Sequence, residues 1–143
     1  MPRQSPVPNE LDKPFYDACN NEQFVMQHCD ACDRFQYPPE ATCRQCGAGD
    51  LPWKEIGGAG EVYSYGVIFD TPIAQLQADQ PYNCAVIALD DAPGINMLSQ
   101  LPGTPADQVP IGAKVRLTWY TTQANGQKGS RHLELQRQSV VEV

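Results

Sequence analysis

Histidine is nearly absent, basic residues are in deficit, and no apolar run is long. The chain of 143 residues has 2 histidines, His28 and His132, far apart in sequence. No Ser, His and Asp grouping of the kind used for acyl transfer is visible. No Gly-rich loop opens a helix, so a nucleotide-phosphate cradle is unsupported. Lys and Arg number 10 against 17 Asp and Glu, a formal charge of -7. A chain so charged is repelled overall by nucleic-acid phosphates. The basic residues Arg116, Lys128, Arg131 and Arg137 are scattered through the last third, and no nucleic-acid partner is expected. No stretch approaches the length of a membrane span, and Met1 to Glu10 is polar and proline-containing, unlike a signal peptide. The expectation is a soluble cytoplasmic protein with no membrane partner. Repeats and low-complexity tracts are absent as well.

Cysteine is abundant, with 6 residues. Four fall in two CxxC pairs, Cys29-Asp-Ala-Cys32 and Cys43-Arg-Gln-Cys46, with 10 residues between them. In a reducing compartment such pairs read as metal ligands rather than disulfides. A two-residue gap lets both sulfurs of a pair face one ion while intervening backbone N–H groups donate to them. Gly47 follows the second pair and Asp33 the first, both residue types that tolerate a left-handed turn. One structural zinc on Cys29, Cys32, Cys43 and Cys46 is the reading. Four thiolates leave no open position for water, which argues against catalytic zinc. An iron–sulfur cluster or a rubredoxin-type iron would use the same four ligands. Paired redox motifs would need a surrounding βαβ pattern that is missing. His28 adjoins Cys29 as a redundant fifth candidate. Cys19 and Cys84 read as buried free thiols.

The rest of the chain orders itself around these pairs. Asp12 to Asn21 predicts a short helix, with Pro14 in its first turn and Phe15 and Cys19 on one face. Phe24 to His28 is a strand leading into the first cysteine pair. Asp30 to Pro52 is too polar to form a core of its own, so the metal must hold it. Gly57-Gly58-Ala59-Gly60 marks a joint, expected to separate two cores. Strands follow at Glu61 to Phe69, Cys84 to Leu89, Ile95 to Leu101, Lys114 to Thr122 and Arg131 to Val143. Asn125-Gly126 signals a hairpin. Asp90-Asp91 before Pro93-Gly94 reads as turn chemistry rather than a carboxylate pair. Five strands of this size suggest an OB-fold barrel. The fold class is therefore mainly β: an N-terminal arm and short helix over residues 1–22, a rubredoxin-like zinc ribbon over 23–56, and a five-stranded OB-fold barrel over 57–143.

With this order on the page, the chain resembles the zinc-ribbon/OB-fold proteins associated with thiolases and other acyl-CoA enzymes. The matching residues are Gln27 to Cys32, Arg34-Phe35-Gln36-Tyr37-Pro38-Pro39, Cys43 to Gly47, Leu51 to Trp53 and Gly58 to Tyr65. The resemblance implies an accessory subunit, not itself an enzyme, in a hetero-oligomer with a thiolase-like enzyme. Thiolases, retro-aldolases that shorten acyl-CoA side chains in lipid and steroid degradation, and some hydratases are such partners. It also implies a possible acyl-CoA contact. The loops Asp70 to Asn83 and Pro102 to Gly112, with Ile73, Leu76 and Val109, are expected to cover a partner or border a pantetheine channel. The competing class is an independent zinc-ribbon/OB-fold module for single-stranded nucleic acid or a small ligand. Tyr63, Tyr65, Phe69 and Trp119 are the aromatic residues that would stack a base, although aromatics in strands more often fill a core.

Overall fold

The computed structural model describes residues 6–101, 103–121 and 131–137. The Asn125-Gly126 hairpin, the first five residues of the arm and the end of the last strand lie outside the described residues. Among the described residues there is one α-helix, α1 (Lys13–Asn20), with Pro14 in its first turn. Ahead of it, the Asn9 carboxamide oxygen accepts from the backbone of Leu11 and Asp12 while Asp12 accepts from Asn9. The chain leaves through Glu22 at φ +57°, after the backbone N–H groups of Asn21, Glu22 and Gln23 have folded back onto the last helical carbonyls. Phe15 and Cys19, one turn apart, are its buried face.

β1 (Val25–Cys29) runs between β2 (Arg34–Gln36) and β3 (Trp53–Glu55) in an antiparallel sheet. A second sheet has the order β6-β5-β4-β7-β8. Its members are β4 (Ala59–Ile68), β5 (Tyr82–Leu89), β6 (Asn96–Ser99), β7 (Lys114–Thr121) and β8 (Arg131–Arg137). The first strand of this set is its centre, and a bulge at Tyr63 lets it bend. A 3-10 helix (Ala74–Asp79) occupies the loop before β5. No described helix is long and apolar enough to cross a membrane.

The core corrects one expectation. Phe15, Cys19, Phe24 and Met26, from α1 and the ribbon, belong to the same buried cluster as Val62, Ala85, Ile87, Leu101 and Val115 of the larger sheet. α1 packs against both β1 and β8. The glycine-rich joint does not separate two cores. It is narrower than its sequence suggests, because Ala59 and Gly60 already pair in β4. Gly58 is tied to β7 by its carbonyl, which accepts from the Leu117 N–H.

Asp91 shows what the acidic turn does. Its carboxylate accepts a 3.0 Å hydrogen bond from the Gly57 N–H and so pins the joint to the β5–β6 turn. Asp91→Ala is expected to cost about 1 kcal/mol, the worth of one such bond, or about 3 °C in melting temperature. An unchanged melt would show that the joint holds without it.

Candidate metal centre

The first cysteine pair sits where a strand stops. β1 ends at Cys29, and three residues later Cys32 faces it from a turn. Asp33, at φ +54°, reverses the chain into β2. The second pair lies in a loop closed by the Thr42–Gly49 bridge. There the Cys43 N–H donates to the Ala48 carbonyl and Gly47, at φ +77°, donates to the Cys43 carbonyl. The left-handed residues at Asp33 and Gly47 are thus equivalent, as the spacing predicted.

The four Sγ atoms all lie within 4.8 Å of one another. Cys29 and Cys46 are 3.5 Å apart, and Cys32 and Cys43 are 3.6 Å apart. A tetrahedral zinc with sulfurs about 2.3 Å away needs sulfur–sulfur edges of about 3.8 Å. The arrangement fits that ion. Electrostatics point the same way. The backbone N–H groups of Cys46 and Gln45 draw the Cys43 thiol down to about 6. Cys32 is pushed up to about 12 by desolvation and then by the neighbouring sulfurs. Four thiolates cannot share this space uncompensated, and a divalent cation removes the conflict. A closed four-sulfur shell supplies folding energy and offers no position for substrate.

His28 is not a fifth ligand. Its ring is buried, with Nδ1 2.8 Å from Asp30 and Nε2 3.0 Å from Asp33. Both carboxylates belong to the first cysteine turn, and Phe35 packs its ring edge-on against the imidazole. The hydrogen bond from His28, then that from Lys54, hold the Asp30 carboxyl below its ordinary range. The two aspartates show no local sequence signal for this role, since their partner is fixed only once the turn closes.

The remaining candidates separate. Cys19 is fully buried, and desolvation pushes its thiol up to about 12, so it is a packed, unreactive group. Cys84 is half-buried and points to the outer face of β5, not into the core. Val109 is buried, Leu76 is half-buried and Ile73 is exposed, so only part of the loop apolar set faces outward. Among the aromatic candidates, Tyr63 and Phe69 are exposed, whereas Tyr65 and Trp119 pack against the core. A shallow pocket of about 220 Å³ opens beside Tyr82, Asn83, Leu101 and Thr104. The Asn83 amide there is already bonded to Leu101 and Thr104 backbone groups, which leaves few polar groups for a ligand. Gln27 and Gln36, to which the sequence assigns no role, are buried opposite one another in the β1–β2 ladder.

Comparison with known proteins agrees with this geometry. Residues 17–52 match the family model of the ChsH2 rubredoxin-like zinc ribbon domain, and residues 53–120 match that of the ChsH2 C-terminal OB-fold domain. The chain is 32% identical over 117 residues to a protein of Thermomonospora curvata named "Probable enoyl-CoA hydratase alpha subunit". That match takes in 82% of this chain and 35% of the relative, so the chain spans about a third of the relative's length. The solved structure titled "Ltp2-ChsH2(DUF35) aldolase" contains a similar chain, with a TM-score of 0.75 and 26% identity, covering 92% of this chain and 98% of that one. A DUF35-family protein from Sulfolobus solfataricus shares the fold at a TM-score of 0.60 and 19% identity, over 91% of this chain and 87% of that one.

Proposed function

The chain belongs to the ChsH2 zinc-ribbon and OB-fold family, and on that premise we propose that it is a non-catalytic accessory subunit of an enzyme acting on acyl-CoA thioesters. Its partner is a thiolase-like enzyme that forms or cleaves a carbon–carbon bond, a thiolase or a retro-aldolase. A lipid- or steroid-derived acyl-CoA is the substrate class. The catalytic residues belong to the partner. In this chain, Cys29, Cys32, Cys43 and Cys46 hold one structural zinc, residues 23–56 form the ribbon and residues 57–143 the barrel.

The observation that carries this reading is the similarity to the chain in the Ltp2-ChsH2(DUF35) aldolase, which extends over nearly all of both chains. The surface supports it. Phe69, Leu98, Tyr63 and Ile111 are each more than 60% exposed. Outward-facing Val86 pairs with Leu98 across the β5–β6 ladder and adds to the apolar area. Apolar groups held in water favour burial against a partner, and aromatic residues carry much of the energy at such surfaces. Nucleic acid is a poor fit. Lys13, Arg44, Lys54 and Lys114 are each already matched to a carboxylate.

The test is co-expression with the thiolase-like enzyme of the same genome. The two should copurify and elute together in size exclusion, and the enzyme should lose most of its acyl-CoA turnover when this chain is omitted. Full turnover by the enzyme alone, or separate elution, would count against the proposal. Turnover of an acyl-CoA by this chain alone would refute it directly. Sub-micromolar binding of single-stranded DNA at ~150 mM salt, where non-specific binding is ~1–100 μM, would favour the independent module instead.

A further inference from the structure

The segment between the two cysteine pairs is held largely without strand pairing: Tyr37 packs against the core, and the Arg44 guanidinium donates to the Tyr37 and Pro38 carbonyls and the Glu40 carboxylate. Tyr37 to Ala41 carries no strand pairing, and Pro38, Pro39, Glu40 and Ala41 offer little apolar surface. Yet this segment sets where Cys43 lies relative to Cys29. From Glu40 onward its backbone is gripped by two side-chain amides. Gln27 Nε2 donates to the Glu40 carbonyl at 2.9 Å, and the Glu40 N–H donates back to Gln27 Oε1 at 3.0 Å. Gln36 Nε2 donates to the Thr42 carbonyl at 3.1 Å, and Gln36 Oε1 accepts from the Arg44 N–H at 2.9 Å. The two amides are joined by a bond from Gln36 Nε2 to Gln27 Oε1 at 3.3 Å.

Both side chains are 6% exposed, and they lie opposite one another in the β1–β2 ladder. Gln27 is two residues before Cys29. Thr42 and Arg44, the residues held by Gln36, flank Cys43. The pair therefore does for residues 40–44 what a neighbouring strand would do: it satisfies backbone groups and fixes their distance from β1. A buried amide left without such partners is costly, so the pair specifies one loop path rather than many.

From these contacts we infer that Gln27 and Gln36 are metal-positioning residues: they preset the separation of the two cysteine pairs, so that zinc meets a nearly formed tetrahedron. This rests on the reading of the four cysteines as zinc ligands. Preorganisation removes ordering entropy from the binding step, which raises affinity and narrows the geometry. A role in general stability alone would lower the melting temperature and leave the metal's environment as it was.

The experiment uses the full purified chain. Zn2+ is competed against a chromophoric chelator, and the absorption bands of Co2+ report ligand geometry. Gln27→Met and Gln36→Met remove the amides at nearly constant length. Each is expected to weaken Zn2+ binding by about ten- to a hundred-fold, the range for groups that orient metal ligands. The Co2+ bands should shift or lose intensity. Gln36→Asn keeps an amide but shortens its reach, and should lose less. The double variant should lose less than the product of the single losses, because both amides act on one segment. Gln108→Leu, an exposed barrel position, is the control and should bind as wild type. Wild-type Zn2+ affinity and an unchanged Co2+ spectrum in the Gln27 and Gln36 variants would overturn the inference, whatever their melting temperatures. Should the Met variants not fold, Gln27→Asn and Gln36→Asn decide by the same two readouts. A wild-type chain that takes up no zinc would instead sink the ligand reading on which the inference stands.

Discussion

Cys43→Ser is expected to abolish zinc uptake and to destabilise the whole chain, not the ribbon alone. A serine oxygen is a poor zinc ligand, and the three remaining sulfurs leave the ion's shell open. Zinc binding contributes ~10–16 kcal/mol in small zinc-finger peptides, against ~5–15 kcal/mol for the entire stability of a typical domain. Residues 30–52 have no core with which to replace that contribution. The loss then spreads through packing. Phe24, just before the ribbon's central strand, and Met26, within it, are buried in the same cluster as Val62 and Ile87. If β1 loses its partners, the larger sheet loses part of its core.

The 2 tryptophans make this measurable. Trp53 lies in β3 of the ribbon and Trp119 in β7 of the larger sheet. With the other tryptophan replaced by Phe, each reports its own sheet during urea unfolding. In the Cys43→Ser background both midpoints should fall together, and elemental analysis should find no zinc where the wild type has one per chain. A lost Trp53 transition beside an unaltered Trp119 transition would show that the barrel stands alone. Iron in the wild-type protein would replace the zinc assignment.

Gly60→Ala should also be clearly destabilising, for a steric reason. A Cβ at Gly60 would stand 2.7 Å from the Ala88 carbonyl oxygen and 2.7 Å from the Ile87 side chain. The first is backbone in the β4–β5 ladder and cannot rotate away. Gly60 also pairs with Leu89 on one side and Val115 on the other, so a shift to relieve the clash breaks two registers. Overpacking of this kind costs ~1–3 kcal/mol even when the core can yield, and here it should reach the upper end, on the order of 10 °C in melting temperature. Gly66 is the contrast. It lies in the same strand, its backbone is not left-handed, and nothing lies within 4 Å of where its Cβ would be. Gly66→Ala should be neutral or slightly stabilising. Equal melting temperatures for the two variants would refute the close approach at Gly60.

The sequence by itself determined the metal site and the order of elements. Metal-ligand spacing is local: two residues between sulfurs and a left-handed residue after each pair are visible without a fold. Strand identity is nearly as local, since β-branched and aromatic runs bounded by Gly and Pro report it directly. Three things were decided only by tertiary structure. Phe15, Cys19, Phe24 and Met26 announced that they would be buried but not against what, because hydrophobic burial is non-directional. Hence the shared core was missed. Cys84 and Val109 were misplaced for a related reason. β5 is apolar on both faces, and its pattern of alternating burial depends on which face its neighbours cover. The two glutamines lay within the stretches that carry the family resemblance, but nothing in the sequence marked their role. Their partners are backbone groups 6 to 13 residues away in sequence, brought into reach only when β1 and β2 pair. A hydrogen bond of that kind is specified by distance and angle, which no residue type encodes alone.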